Sequence, residues 1–195
     1  MTRQYSRLFW TNTSKMLEDL SQHILDIAEN GVNAGADSIS LKIDDGPEEV
    51  VLIVSDNGKG MDEQTCRSVV DPFFTSRTER RVGLGLPFLK QLADLCGGSF
   101  ALESFPGLGT TVSASFRKDS IDMPPLGDIP STLLALFIGN PDISWMYTHK
   151  RNGKEFSVGN RELSEALGGG NPFSDPSLAL GIKDYLRENI SDLYS

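Results

Sequence analysis

Apolar residues recur at helical spacing through the segment 17–33, at Leu17, Leu20, Ile24, Ile27, Ala28 and Gly31. That period marks a helix with one buried face. The polar residues Asp19, His23, Asp26, Asn30 and Asn33 gather on the other face, and Gly35 supplies a stop. The pattern then turns strand-like. Segments 38–43 and 50–55 read as strands joined by the turn DDGPEE, and the second runs straight into DNGKGM. Residues 62–70 predict a short helix capped by Asp62. Segment 71–82, with Pro, Ser, Thr and three arginines and no regular period, reads as a loop. A helix over 84–96 is ended by Gly97 and Gly98, and two more strands, 99–104 and 110–117, flank the turn FPGLG.

Beyond that the stretch IDMPPLGDIP, punctuated by Pro124, Pro125 and Pro130, marks a boundary. A short apolar helix over 131–138 follows, then a hairpin turning at Asn152-Gly153. A helix over 161–167, a Gly-rich linker and a last helix over 176–190 complete the chain. Residues 1–15 are polar and aperiodic apart from Phe9 and Trp10. They read equally as a first strand, a partner-binding arm or a tail. The organisation expected is therefore an arm at 1–15, a domain at 16–118 and an extension at 119–195.

Composition narrows the chemistry. With 195 residues the chain can bury one good core, and 38% hydrophobic with 23% charged residues is ordinary for a globular protein. A net charge of −9 disfavours a nucleic-acid binder, which needs a basic surface. No apolar run approaches a membrane span, and the N-terminus lacks a secretory pattern. Cys66 and Cys96 stand in unrelated contexts, which suits free thiols in a reducing cytoplasm.

Four segments carry candidate chemistry. On the first helix, Asp26 and Asn30 lie one turn apart and can reach one cleft. An amide oxygen suits Mg²⁺, and a carboxylate one turn away suits a base toward an attacking water or hydroxyl. Any solvated helix face also looks like this. In VLIVSDNGKGM a strand ends on Asp56, a carboxylate able to accept from an adenine amine, with Gly58 and Gly60 letting the backbone pass under a ring; an ordinary Asn-Gly turn is the plain alternative. In PFFTSRTERRVGLGL a basic loop leads to Gly83-Leu84-Gly85-Leu86 at a helix N-terminus, where free amides favour phosphate. Phe73 and Phe74 read as anchors of that loop. In GLGTT, Thr110 starts a strand near the Asp56 carboxylate.

These four segments, in this order over roughly residues 20–117, resemble the N box, first glycine box, F box with second glycine box, and final Gly-Thr motif of the GHKL superfamily. PFFTSR, GLGLPFLKQL and LGTTVSASF are most similar to the ATPase domain of histidine kinases; AENGVNAGADSI is also similar to mismatch-repair and anti-sigma-factor relatives. The resemblance implies the Bergerat ATP-binding fold: an α+β, two-layer α/β sandwich with a mixed, largely antiparallel sheet and helices on one face, here with a small C-terminal α/β addition. It implies ATP and Mg²⁺, with Asn30 as the metal ligand and Asp26 as the catalytic acid–base group. Asn33, Asp56, Gly58, Gly60, Met61, Phe74, Thr75, Arg77, Gly83, Leu84, Gly85, Leu86 and Thr110 would line the nucleotide. Two positions depart from the pattern. Asp26 stands where relatives with an acidic base have the longer Glu, and Arg81 stands where the second glycine box often begins with Gly.

The family's dimerising hairpin with its phospho-acceptor histidine has no counterpart in this sequence, and His23 lies within the N-box helix. The expectation is a soluble, cytoplasmic module that transfers the γ-phosphate to a separate protein. An ATP-gated protein-binding switch and a slow ATPase coupled to homodimerisation are the rivals.

Overall fold

The computed structural model describes residues 19–71 and 85–195. Helix α1 spans Leu20–Asn33; Asp19 caps it by accepting from the Gln22 N–H at 3.1 Å. Gly35 follows at φ 76°, the left-handed step that ends it. Strands β1 (Ser38–Asp45) and β2 (Glu49–Asp56) form a hairpin. Helix α2 (Glu63–Val69) starts where Asp62 accepts from the Thr65 N–H, and α3 spans Gly85–Leu95. Strands β3 (Phe100–Phe105) and β4 (Gly109–Arg117) pair antiparallel.

The C-terminal part adds α4 (Ile129–Gly139), β5 (Ser144–Arg151), β6 (Lys154–Gly159), α5 (Asn160–Ala166), a 3₁₀ turn at Pro172–Ser174 and α6 (Pro176–Asp192). Helix α4 begins two residues earlier than its apolar run suggests. Asp128 caps it and Pro130 sits in its first turn, where the missing N–H costs nothing. The β5–β6 turn has Asn152 and Gly153 at φ 49° and 80°, the backbone a two-residue hairpin needs.

The fold is α+β. A six-stranded mixed sheet runs β3-β4-β2-β1-β5-β6, with β1 and β5 parallel and the other pairs antiparallel. Strands β5 and β6 thus extend the same sheet as the first four. Alternate residues such as Leu41, Leu52, Phe116 and Tyr147 point into one core shared with α1, α3, α4 and α6. Ser40 and Lys42, one step out of phase, face outward.

The β1–β2 turn is shorter than DDGPEE implies. Asp44 and Asp45 belong to β1, because Asp45, only 2% exposed, is an inward partner and not a turn residue. It forms ion pairs with Lys118 and Arg151 and accepts from the Tyr194 hydroxyl at 3.0 Å. Burial alone would push its carboxyl up, but these hydrogen bonds outweigh that and hold it below the usual range.

Candidate functional site

The site begins where β2 ends. Asp56 Oδ1 accepts from the Gly58 N–H at 2.8 Å, folding the chain back through Asn57. Asn57 fixes the turn from the other side. Its Oδ1 accepts from the N–H groups of Asp37 and Ser38, both at 3.0 Å, and its amide donates to Asp37 Oδ1 at 2.6 Å. The glycines of this turn make room for the chain itself. A Cβ on Gly58 would lie 2.8 Å from Ala34 Cβ, and one on Gly60, at φ 64°, would lie 1.9 Å from the Phe105 carbonyl oxygen. That is a structural use beside the one expected of them. Gly31, which reads in sequence as one more apolar helix position, supports Asp56 directly: a Cβ there would lie 2.9 Å from Asp56 Cβ.

Thr110 sits opposite Asp56 in the β2–β4 register. Its hydroxyl lies 2.8 Å from Ser104 Oγ, which accepts from the Met61 N–H at 2.8 Å and donates to the Gly109 carbonyl at 3.0 Å. Ser104 therefore ties the first glycine turn to the start of β4. Nothing in its sequence context announces this, since the three partners meet only through strand pairing.

Between these elements lies a cavity of about 230 Å³. Asn30, Asn33, Asp56, Gly60, Met61, Leu86 and Thr110 all line it. Ile27, Ala34, Lys59, Thr65, Val69 and Val112 complete its walls. These apolar members and Lys59 have no motif signal beyond their positions on elements that converge here. Gly58 lies behind the wall. Phe74, Thr75, Arg77, Gly83 and Leu84 fall outside the described residues.

The polar face of α1 departs from its expected solvation. His23 is 3% exposed, and Asp26 and Asn30 are half-buried. His23 Nδ1, Asp26 Oδ2 and Asn30 Nδ2 are buried without a hydrogen-bond partner among the described residues. They are spaced three and four residues apart, so they form one row along the helix. The face is sheltered because α3 packs against α1. A Cβ on Gly85, the first residue of α3, would fall 1.6 Å from Asp26 Oδ2, so the carboxylate lies directly against that helix terminus. Burial pushes the Asp26 carboxyl above its ordinary range and drives His23 down to about 4, against the opposing pull of Asp19.

A buried polar atom left unpaired costs about 1–3 kcal/mol. Of the three residues, Asn30 lines the cavity while Asp26 and His23 do not, and the row leaves hydrogen-bonding capacity on this face that no described residue takes up. Among the described residues no group of three or more His, Cys, Asp or Glu could hold a metal ion, and no helix is long and apolar enough to cross a membrane.

Comparison with known proteins accords with this geometry. Residues 16–120 match the family model described as histidine kinase-, DNA gyrase B-, and HSP90-like ATPase. Sporulation kinase D of Bacillus subtilis is 33% identical over 98 residues, covering 49% of this chain and 19% of that protein. The C4-dicarboxylate transport sensor protein DctB of Rhizobium meliloti is 31% identical over 103 residues, covering 51% and 16%. The B. subtilis sensor histidine kinase YxdK is 33% identical over 85 residues, covering 42% and 26%. The matches thus span about a quarter or less of each relative. Among solved structures, the N-terminal domain of a DNA repair protein superposes with a TM-score of 0.52 at 16% identity, covering 75% of this chain and 53% of that one; this is a likeness of fold. The matched segment holds α1, the Asp56 turn, α3 and β4 together, and the chain belongs to the histidine kinase-, DNA gyrase B- and HSP90-like ATPases.

Proposed function

We propose that this chain is a Mg-ATP-dependent protein kinase of the histidine-kinase type that passes the γ-phosphoryl group to a separate protein. The residues present fit such a ligand. The atoms on α1 that have no partner among the described residues can take up polar groups, the cavity has apolar walls with Asp56 and Thr110 side by side in its lining, and Lys59 adds a cation. Asp56 and Thr110 would hold the adenine, Asn30 would offer its amide oxygen to Mg²⁺, and the first turn of α3 would meet phosphate. Bound there, Mg-ATP supplies an electrophilic phosphorus and a stable leaving group, ADP.

Asp26 is the observation that carries the reading. A buried carboxyl whose affinity for protons is raised, with Oδ2 free of partners among the described residues, is suited to take a proton. Asp26 Oδ2 would accept the proton of the attacking group as that group bonds to phosphorus. Gly85 keeps the space this oxygen needs.

Asp26→Asn tests the assignment, because the amide keeps the shape but takes no proton at neutral pH. ATP affinity by calorimetry stays near wild type, while release and transfer of labelled phosphate fall by roughly 10²–10⁴. Unchanged turnover would remove Asp26 from the chemistry. A second reading, an ATP-gated protein-binding switch, is favoured by the packing of α4 directly on α1, which links the nucleotide-facing helix to the C-terminal addition. In that case the Asp26→Asn protein still captures its partner only with ATP, and wild type shows no transfer.

A further inference from the structure

On the far side of the C-terminal addition, α5 and α6 enclose an apolar groove of about 390 Å³. Leu163, Leu167, Leu178 and Ile182 supply its walls, and Tyr185 closes one end with its ring 6.0 Å from that of Phe156. Leu167, Leu178 and Tyr185 are each at least 40% exposed. Among the described residues that line it, Glu162 is the one acidic or basic group. Gly181 opens the floor, since a Cβ there would meet nothing within 4 Å. Large apolar side chains left open around a concave surface mark a place for an apolar partner.

The chain itself supplies one of matching chemistry. Residues 1–18 hold the aromatic pair Phe9-Trp10 beside Leu8, and carry Arg3, Arg7 and Lys15 against Glu18 alone, in a protein of net charge −9. Their exit point is fixed by structure. The backbone N–H groups of Leu20 and Ser21 donate to the carbonyls of Pro125 and Leu126, and Asp19 lies against Gly127. Next to it, Asp128 stands 3.7 Å from Lys183 Nζ. Lys183 belongs to α6, the helix that also floors the groove, but on its opposite side. A segment leaving at Asp19 must therefore pass around one helix, about 10–12 Å across. The nine residues from Trp10 to Asp19 reach up to about 30 Å at about 3.3 Å each.

We infer that the groove between α5 and α6 receives the chain's own N-terminal arm, with Phe9 and Trp10 in its apolar floor and the arm's basic residues toward Glu162. Docked there, the arm joins the segment just before α1 to the last helix, so that the helix bearing Asp26 and Asn30 is tied to the C-terminal addition from both ends.

Acrylamide quenching of tryptophan fluorescence in the full chain tests this. Trp145 is 1% exposed and its indole N–H donates to the Asn140 carbonyl, so it gives a shielded background that a Trp10→Phe variant isolates. The expected result is a Trp10 several-fold less quenchable in the full chain than in a peptide of residues 1–16. Gly181→Leu, at a position where a Cβ meets nothing within 4 Å, puts a side chain into the groove and removes this shielding, while the Trp145 signal stays unchanged and the melting temperature does not fall. Leu178→Gln, at a part-exposed position, gives the same loss by making the floor polar. Trp10 equally quenchable in chain and peptide overturns the inference, as does shielding that survives both variants. Shielding that grows with protein concentration, in step with a dimer in sedimentation, overturns it in favour of a second copy.

Discussion

Asn30 and Asn160 are the same side chain put to opposite uses. Asn160, 1% exposed, spends its amide on the structure: Oδ1 accepts from the Trp145 N–H at 2.9 Å, and Nδ2 donates to the carbonyls of Ile143 and Pro141. Asn30 leaves its buried Nδ2 without a partner among the described residues. The two histidines repeat the contrast. His149 is fully buried, with Nδ1 2.9 Å from the Tyr147 hydroxyl and Nε2 facing Tyr194, whereas Nδ1 of His23 has no partner among the described residues. So do the two aspartates, since Asp45 is held below the ordinary range by its partners and Asp26 is pushed above it by burial. Asp45 joins the ATPase core to Arg151 and Tyr194 of the C-terminal addition, and Asn160 and His149 hold that addition together. Asn30, His23 and Asp26 share one face of α1. Burial by itself therefore does not set the two groups apart. Partners do: Asn160, His149 and the ion-paired Asp45 have theirs within the chain, whereas the three atoms on α1 have none among the described residues.

The contrast can be broken most severely at the aspartates. Asp45→Ala leaves Lys118, Arg151 and the Tyr194 hydroxyl without their acceptor; with those partners partly exposed, it should cost about 2–4 kcal/mol of stability in urea unfolding. ATP affinity should not change in conditions where the fold persists. Asp26→Asn should show the reverse, lost turnover with the unliganded fold as stable as wild type or more so, because a buried ionised group has been removed.

The asparagines come next. Asn160→Ala strands a buried N–H and a buried carbonyl and should cost about 1–3 kcal/mol. Asn30→Ala removes an amide whose Nδ2 has no partner among the described residues, so stability should hold while the Mg²⁺-dependent part of ATP affinity disappears. Equal destabilisation by both would show that Asn30 is structural.

The histidines sharpen the comparison by pH. Both have pKa values lowered to about 4, chiefly by burial. The unfolded chain takes up protons near 6.5 and the native chain does not until about 4. Stability is therefore complete well above pH 6.5 and falls as the pH drops toward 4, by about 3 kcal/mol for each histidine. His149→Phe and His23→Phe should each reduce that slope by close to one proton. The smallest effect is at Gly31. Gly31→Ala gains helix propensity but presses on Asp56 Cβ, so stability should stay near wild type while ATP affinity drops about tenfold, or 1.4 kcal/mol. An affinity equal to wild type would separate Asp56 from adenine recognition.

Much of this was readable in sequence wherever the signal is local. Alternation placed β1 and β2, Asn152-Gly153 placed the last hairpin, and motif order brought Asn30, Asp56 and Thr110 to one cavity. What was missed is non-local. Asp45 reads as a turn residue until Lys118 and Arg151 are brought to it. His23 reads as solvated until α3 covers α1. Ser104 is an unremarkable strand serine until pairing aligns it with Thr110 and Met61. Nor does any local pattern tell that β5 pairs with β1, in parallel, beyond three intervening strands and three helices of the described residues.

That pairing has a consequence for how the protein is made. Its partners, Ser38 with Ser144 through Asp45 with Arg151, stand 106 residues apart. The first four strands leave the ribosome as a nearly complete sheet while the flank of β1 that faces β5 is still bare. At roughly 5–20 residues per second, that flank waits about 5–20 s for its partner. An unpaired strand edge is a template for joining other chains, so the yield of native protein should depend on how quickly translation delivers the final third.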